Sequence, residues 1–237
     1  NSKILFPKPT YPLFEYVAKY ANIEYEFYDL EFDYWNINFK NLESKLAIDN
    51  NISAIVIISP NNPTGSVIGE FEFRKLQNLA IKYNLKLIID TVFDTFDYKK
   101  TTLLTSLPIT TKIEIFWLNG ISKMFALPDL KLAWIYYQNP EISILDKMET
   151  FNDTFLNANY LSQSIFSEIA ENGVEFQNSM RNQLESNLHI CNDIDKNIYQ
   201  YSLPEGGIHF VLSYNKERFN SDLEFSEFLE NEVSILS

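Results

Sequence analysis

Three polar residues that could act together each follow an apolar run: Asn62 in P-N-N-P-T-G after A-I-V-I-I-S, Asp90 closing L-I-I-D, and Lys123 beside Ser122 after I-F-W-L-N-G-I. A lysine partly withdrawn from water has a lowered pKa, and its amine becomes a nucleophile toward an aldehyde. Lys123 lies between two nearly continuous hydrophobic runs, residues 113–118 and 132–137, which is a setting for such withdrawal. A carboxylate ending a buried run is costly unless it reaches solvent or meets a cation. Asp90 therefore either pairs with a positive group or caps the segment that follows. Asn62 sits on a turn stiffened by two prolines and Gly65, and either offers its amide outward or bonds its own turn.

Strands and helices must position these groups. Residues 54–59, 87–90, 113–118 and 132–137 read as strands, whereas residues 70–83 carry Phe71, Leu76, Leu79 and Ala80 at helical spacing. Alternating strands and helices predict an α/β fold, a mostly parallel sheet flanked by helices. In such sheets ligands sit beyond the carboxyl ends of the strands, where residues distant in sequence converge. Ser122 and Lys123 are expected in a short loop. Upstream, K-I-L-F reads as a strand, and Pro12 suits the first turn of a helix to about Tyr20. Residues 23–30 alternate like a strand near a sheet edge, D-L-E-F-D-Y-W reads as a surface loop, and residues 38–47 as an amphipathic helix with Phe39, Leu42 and Leu46 on one face. Downstream of Pro140 the chain turns helical, with a long segment from about Tyr160 to Tyr199 broken near Asn172-Gly173. G-G-I-H-F-V-L is expected as a strand, followed by a helix over 221–231. The expected division is a large domain over 1–180 and part of a small α+β domain over 181–237.

The bulk numbers narrow the function classes. The chain has 237 residues, 46% hydrophobic and 15% aromatic, enough for a sizeable core. A formal charge of −13 argues against nucleic acid as a partner, because phosphate binding needs concentrated Lys and Arg. No apolar run approaches the length of a membrane span, and the opening residues show no signal-peptide pattern, so a cytoplasmic protein is expected. Cys191, His189 and His209 are isolated and form no metal-ligand set.

Taken in order, P-T-Y-P (9–12), S-P-N-N-P-T-G (59–65), Asp90, Ser122-Lys123 with Leu127-Pro128, and P-E-G-G-I-H-F (204–210) resemble the class I/II, fold-type I aminotransferases that depend on pyridoxal 5'-phosphate. The resemblance covers most of the chain. It implies an aldimine between Lys123 and the cofactor, after which the freed amine moves the α-proton as general base and acid. It further implies Asp90 at the pyridinium, keeping the ring an electron sink. Asn62 would hold the phenolic oxygen and Tyr11 the ring face, although an aromatic there could equally be packed at a strand end. Ser122 with Lys131 would hold the phosphate. Amino acid and 2-oxo acid substrates, a role in amino acid metabolism and a homodimer follow from the same resemblance. Decarboxylation, β-elimination and cyclisation use the same residues and remain open.

The chain departs from the family pattern at four places. Phe93 stands where the family has a tyrosine bonded to the phenolic oxygen, and Lys131 where it has a phosphate-binding arginine. A lysine supplies charge but no planar fork. Gly120 replaces a serine or threonine, and Asp129 a glycine. These departures leave open a rival reading, a cofactor-binding or scaffold domain without turnover. The chain starts at Asn1, directly before a strand, and the family's substrate-carboxylate arginine would fall beyond Ser237. The expectation is a segment of something longer that does not transaminate alone.

Overall fold

A computed structural model of the protein describes residues 2–98, 104–155, 158–190, 199–201 and 203–233. Its centre is a six-stranded sheet made of β1 (Lys3–Lys8), β2 (Glu24–Asp29), β3 (Ile52–Ile58), β4 (Lys86–Asp90), β5 (Ile115–Gly120) and β6 (Ala133–Gln138), in the order β2-β1-β3-β4-β5-β6. The first five strands are mutually parallel, and β6 runs antiparallel to β5. The alternating run 23–30 does supply the edge strand, β2. Its Tyr28 is fully buried and donates its hydroxyl to Val56 O at 2.9 Å.

Strand β3 is buried on both faces, as its unbroken β-branched sequence requires of a central parallel strand. Ile55 and Ile57 pack into one core, and Val56 and Ile58 into another on the opposite face. The first core is closed by α2 (Phe39–Ile48), through Leu42 and Leu46, and by α3 (Glu70–Tyr83). The opposite core takes Ala18 of α1 (Leu13–Tyr20). In α3 the apolar stripe runs through Phe73, Leu76, Leu79 and Ala80. Phe71, expected in it, is 78% exposed, because the inward face is set by the residues four and seven positions before Ala80. The helix begins where Glu72 accepts from Gly69 N and ends at Asn84, which takes up the left-handed conformation.

Two expectations about the remaining elements are corrected. Ser122 and Lys123 lie not in an open loop but on a single helical turn, α4 (Ile121–Met124), because Ile121 is fully buried and pulls the chain inward directly after β5. The G-G-I-H-F-V-L run is not one strand. Its glycines are used in backbone contacts with Gly65 and Phe96, in the segments that follow β3 and β4, and extended pairing starts only at Leu212.

The helices α5 (Ile142–Phe155), α6 (Tyr160–Asn172) and α7 (Val174–Ile190) follow, with the expected break at Gly173. Helix does not continue to Tyr199. That residue opens β7 (Tyr199–Tyr201), paired antiparallel with β8 (Leu212–Tyr214), and Cys191 lies outside the described residues. Helix α8 (Asp222–Val233) builds a small separate core from Phe219, Phe225 and Leu229. Among the described residues no helix is long and apolar enough to cross a membrane, and no cluster of three potential metal ligands occurs.

Candidate functional site

Register aligns the strand ends. Ile58 of β3 lies opposite Asp90 of β4, and Asp90 opposite Leu118 of β5. Backbone bonds extend this alignment past the strands, from Ser59 N to Asp90 O (3.0 Å) and from Thr91 N to Leu118 O (2.9 Å). Parallel β1 ends at Lys8 on the other side of β3, so Tyr11 follows at the same edge. Because β6 is antiparallel, with Ala133 opposite Gly120, Lys131 also enters at this edge. The sheet therefore gathers Tyr11, Asn62, Asp90, Ser122, Lys123 and Lys131 along one rim.

Asp90 ends β4, and its Oδ1 accepts from Val92 N at 3.0 Å, a turn contact two residues on; the short helical turn that follows is capped at Phe93, not at Asp90. Burial pushes its pKa up, with the Val92 bond opposing. Among the described residues no cation pairs with it. Asp94, which sequence reasoning missed, lies on the short turn after it. Burial pushes this carboxyl up to about 6, Asn119 opposes the shift, and the neighbouring Asp90 charge adds to it. Asp94 Oδ1, Thr95 Oγ1 and Thr10 Oγ1 are buried and lack hydrogen-bond partners. All three belong to segments that leave β1 or β4 at this rim.

The P-N-N-P-T-G turn is fastened by Asn61, whose Oδ1 accepts from Thr64 Oγ1 at 3.0 Å and whose backbone bonds both Ser66 and Gly65. Asn62 is thereby left half-buried with its amide uncommitted among the described residues. Gly65 adopts φ +70°, and a Cβ there would lie 2.9 Å from Gly206 O. The late loop is clamped onto it: Glu205 N and Gly206 N both donate to Gly65 O, at 2.8 and 2.9 Å.

Lys123 is exposed, contrary to the expected withdrawal from water, because α4 places it on the rim and not between the two strands. Its Nζ lies 6.0 Å from the centroid of Phe93, which is 3% exposed. His209, a second residue that sequence reasoning left without a role, stands edge-on to the same ring at 5.9 Å. Partial burial first, and then the Lys123 charge, hold its imidazole below the usual value. The available signal was its place inside P-E-G-G-I-H-F. Gly120 has a packing reason: a Cβ there would fall 2.9 Å from Leu132 O and 3.0 Å from Ala133 Cβ across the β5–β6 pair. Tyr11 is 43% exposed and so is not a packed strand-end aromatic. Lys131, at φ 49°, and Asp129 are both exposed.

A half-buried carboxylate without a cation, an exposed amine, an uncommitted amide and an exposed aromatic on one rim suit a flat cationic heteroaromatic aldehyde carrying a phosphate.

The family model for aminotransferase class I and II matches residues 1–236. The chain therefore belongs to the class I and II aminotransferases, a family that works with pyridoxal phosphate. It is 27% identical over 249 residues to nicotianamine aminotransferase 1 of Oryza sativa subsp. japonica, covering 100% of this chain and 50% of that protein. The fold superposes on alanine aminotransferase from Pyrococcus furiosus with a TM-score of 0.85 at 21% identity, covering 100% of this chain and 61% of that one. It also superposes on the PLP-bound C-S lyase from Staphylococcus hominis with a TM-score of 0.86 at 22% identity, covering 99% and 61%. The chain spans about half the length of the curated relatives it matches.

Proposed function

We propose that this chain forms the cofactor-binding part of a pyridoxal-phosphate-dependent aminotransferase, with Lys123 as the covalent attachment point. The observation that carries the reading is the placement of Asp90 and Lys123 at the ends of adjacent parallel strands, fixed by the Asp90–Leu118 register. The bound cofactor supplies an electron sink for negative charge formed at a substrate α-carbon. Lys123 Nζ would hold the cofactor through its aldehyde carbon, and the same amine would take and return the substrate's α-proton. Asp90, with burial disfavouring its isolated charge, holds the ring nitrogen protonated. Asn62 would hold the phenolic oxygen, Tyr11 the ring, and Ser122 and Lys131 the phosphate.

Amino acids and 2-oxo acids are the proposed substrates, and a cytoplasmic homodimer the proposed form. Residues 1–180 would be the cofactor-binding domain and 181–237 part of a small domain, supported by the separate core around Phe219, Phe225 and Leu229. The test is peptide mapping after borohydride reduction in the presence of pyridoxal phosphate. The pyridoxyl label should fall on Lys123 and vanish in Lys123→Ala; a label on another lysine, or none, refutes the assignment.

A further inference from the structure

Helix α5 differs from the other helices of the large domain in that none of its side chains is buried, although it is 14 residues long. A helix of that length is marginal in water unless an apolar face is covered. Its residues Ile144, Met148, Phe151 and Phe155 recur at steps of four, three and four, which places them on one face. Ile144 and Met148 are half-buried, whereas Phe151 and Phe155 are 64% and 68% exposed, with ring centroids 4.5 Å apart. Beyond them α6 opens with Tyr160 and Leu161, 84% and 66% exposed. Five residues can separate Phe155 from Tyr160 by no more than about 18 Å, so all four lie within the span of a single protein interface.

This patch is uncharged in a chain whose net charge is −13. Residues 154–167 include no Asp, Glu, Lys or Arg. At about 100° per residue, Asp146, Glu149 and Asp153 fall on the side of α5 away from Phe151 and Phe155. The base beneath α6 is firmly held. Asn159 accepts from Ser162 N at 2.9 Å, the buried Ser162 donates its hydroxyl to Leu130 O at 2.7 Å, and Phe166 packs on Trp134. The start of α6 therefore adjoins the segment that carries Lys131.

We propose that Phe151, Phe155, Tyr160 and Leu161 form the centre of the homodimer interface, seated on the same patch of a second copy across a two-fold axis. This surface deepens the homodimer reading above, on which it rests. Aromatic enrichment and depletion of charge are what distinguish the core of an interface from ordinary surface. With no charge to select a charged partner, the patch needs an uncharged apolar face opposite it. An identical patch supplies that face and closes the assembly at two copies. Two chains of charge −13 repel least where neither presents a carboxylate. Three aromatic side chains of about 150–250 Å² each, together with Leu161, supply much of the roughly 800 Å² that each partner of a standard interface covers.

Sedimentation equilibrium on the chain without cofactor tests this. The unaltered chain should be a dimer whose dissociation constant falls as salt rises, because screening relieves the repulsion and leaves the apolar contact intact. Phe155→Asp and Leu161→Asp should each raise that constant by about a hundredfold or more, since the two-fold axis sets the new charges against each other. Both positions are exposed, and unchanged far-ultraviolet circular dichroism shows that the variants remain folded. Tyr20→Asp, on the exposed side of α1, should leave the constant unaltered. A dimer that survives both patch variants overturns this inference alone, as does one broken by Tyr20→Asp or loosened by salt. Assemblies that keep growing with concentration overturn the two-fold contact. A monomer at every concentration refutes the homodimer reading together with this surface, and none of these outcomes bears on the borohydride label at Lys123.

Discussion

Val67 N donates to Glu205 Oε2 at 3.0 Å across 138 residues of sequence. This bond, together with the pair received by Gly65 O, ties the turn that carries Asn62 to the loop that carries His209. Two segments that read as separate motifs are therefore one mechanical unit, and disturbing the turn should disturb the histidine.

Gly65 is the hinge of that unit. Replacing it with alanine places a side chain in the left-handed region and drives the new Cβ into Pro204 and Gly206. Gly65→Ala should cost roughly 2–4 kcal/mol. The measurement is urea unfolding, with a lower midpoint at unchanged slope, and the imidazole signal of His209 should shift in the folded variant. A midpoint equal to that of the parent would show that the clamp contributes nothing.

Asp94 makes stability fall as pH rises. Its folded-state pKa is raised to about 6 from an ordinary value of 3.8, so between these values the folded state binds more protons than the unfolded one. By linkage the stability present at low pH is lost as pH climbs through this window. Asp94→Asn should be more stable than the parent at pH 7 by about 2–3 kcal/mol, with the difference vanishing below about pH 4. Asp90, also raised, leaves a residual slope of the same sign. Thermal melts across pH 4 to pH 8 decide it, and parallel curves for the two proteins would contradict the assignment.

Phe93→Tyr adds a hydroxyl to the ring that Lys123 and His209 share. A hydrogen bond to the ionised phenolic oxygen of bound cofactor favours the charged form of that oxygen. The pH at which the bound cofactor's visible band titrates should therefore be lower in the variant than in the parent. Spectral titration of both proteins measures it. An equal or higher value in the variant would mean that another donor already serves that oxygen.

Tyr28 tests the far side of the sheet. Its hydroxyl is buried and bonded to Val56 O, so Tyr28→Phe should cost about 1 kcal/mol through loss of that bond, with the ring still filling the core. Urea unfolding reads the change. A cost several times larger would show that the hydroxyl supports more of β3 than one carbonyl.

Asn62, Asp90 and Lys123 were legible because each follows closely on a run whose local composition already specifies a strand. Strands joined by crossover helices pair in parallel, as β1 to β5 do, and parallel pairing puts their carboxyl ends on one rim. The P-N-N-P-T-G turn is likewise a local matter, set by proline and glycine geometry over a few residues. By itself, then, the sequence determined the strands of the large sheet and the rim along which Asn62, Asp90 and Lys123 lie. Only the tertiary structure decided that Lys123 is exposed, since exposure depends on what covers α4 and not on the strands beside it in sequence. It also decided that Phe71 faces water and Phe73 the core, a choice between two helix faces made by the sheet below. Asp94 enters the site through burial, and His209 through backbone bonds that tie its loop to Gly65 and Phe96, far away in sequence. Such contacts arise only when distant segments are packed together, and no local pattern of residues encodes them.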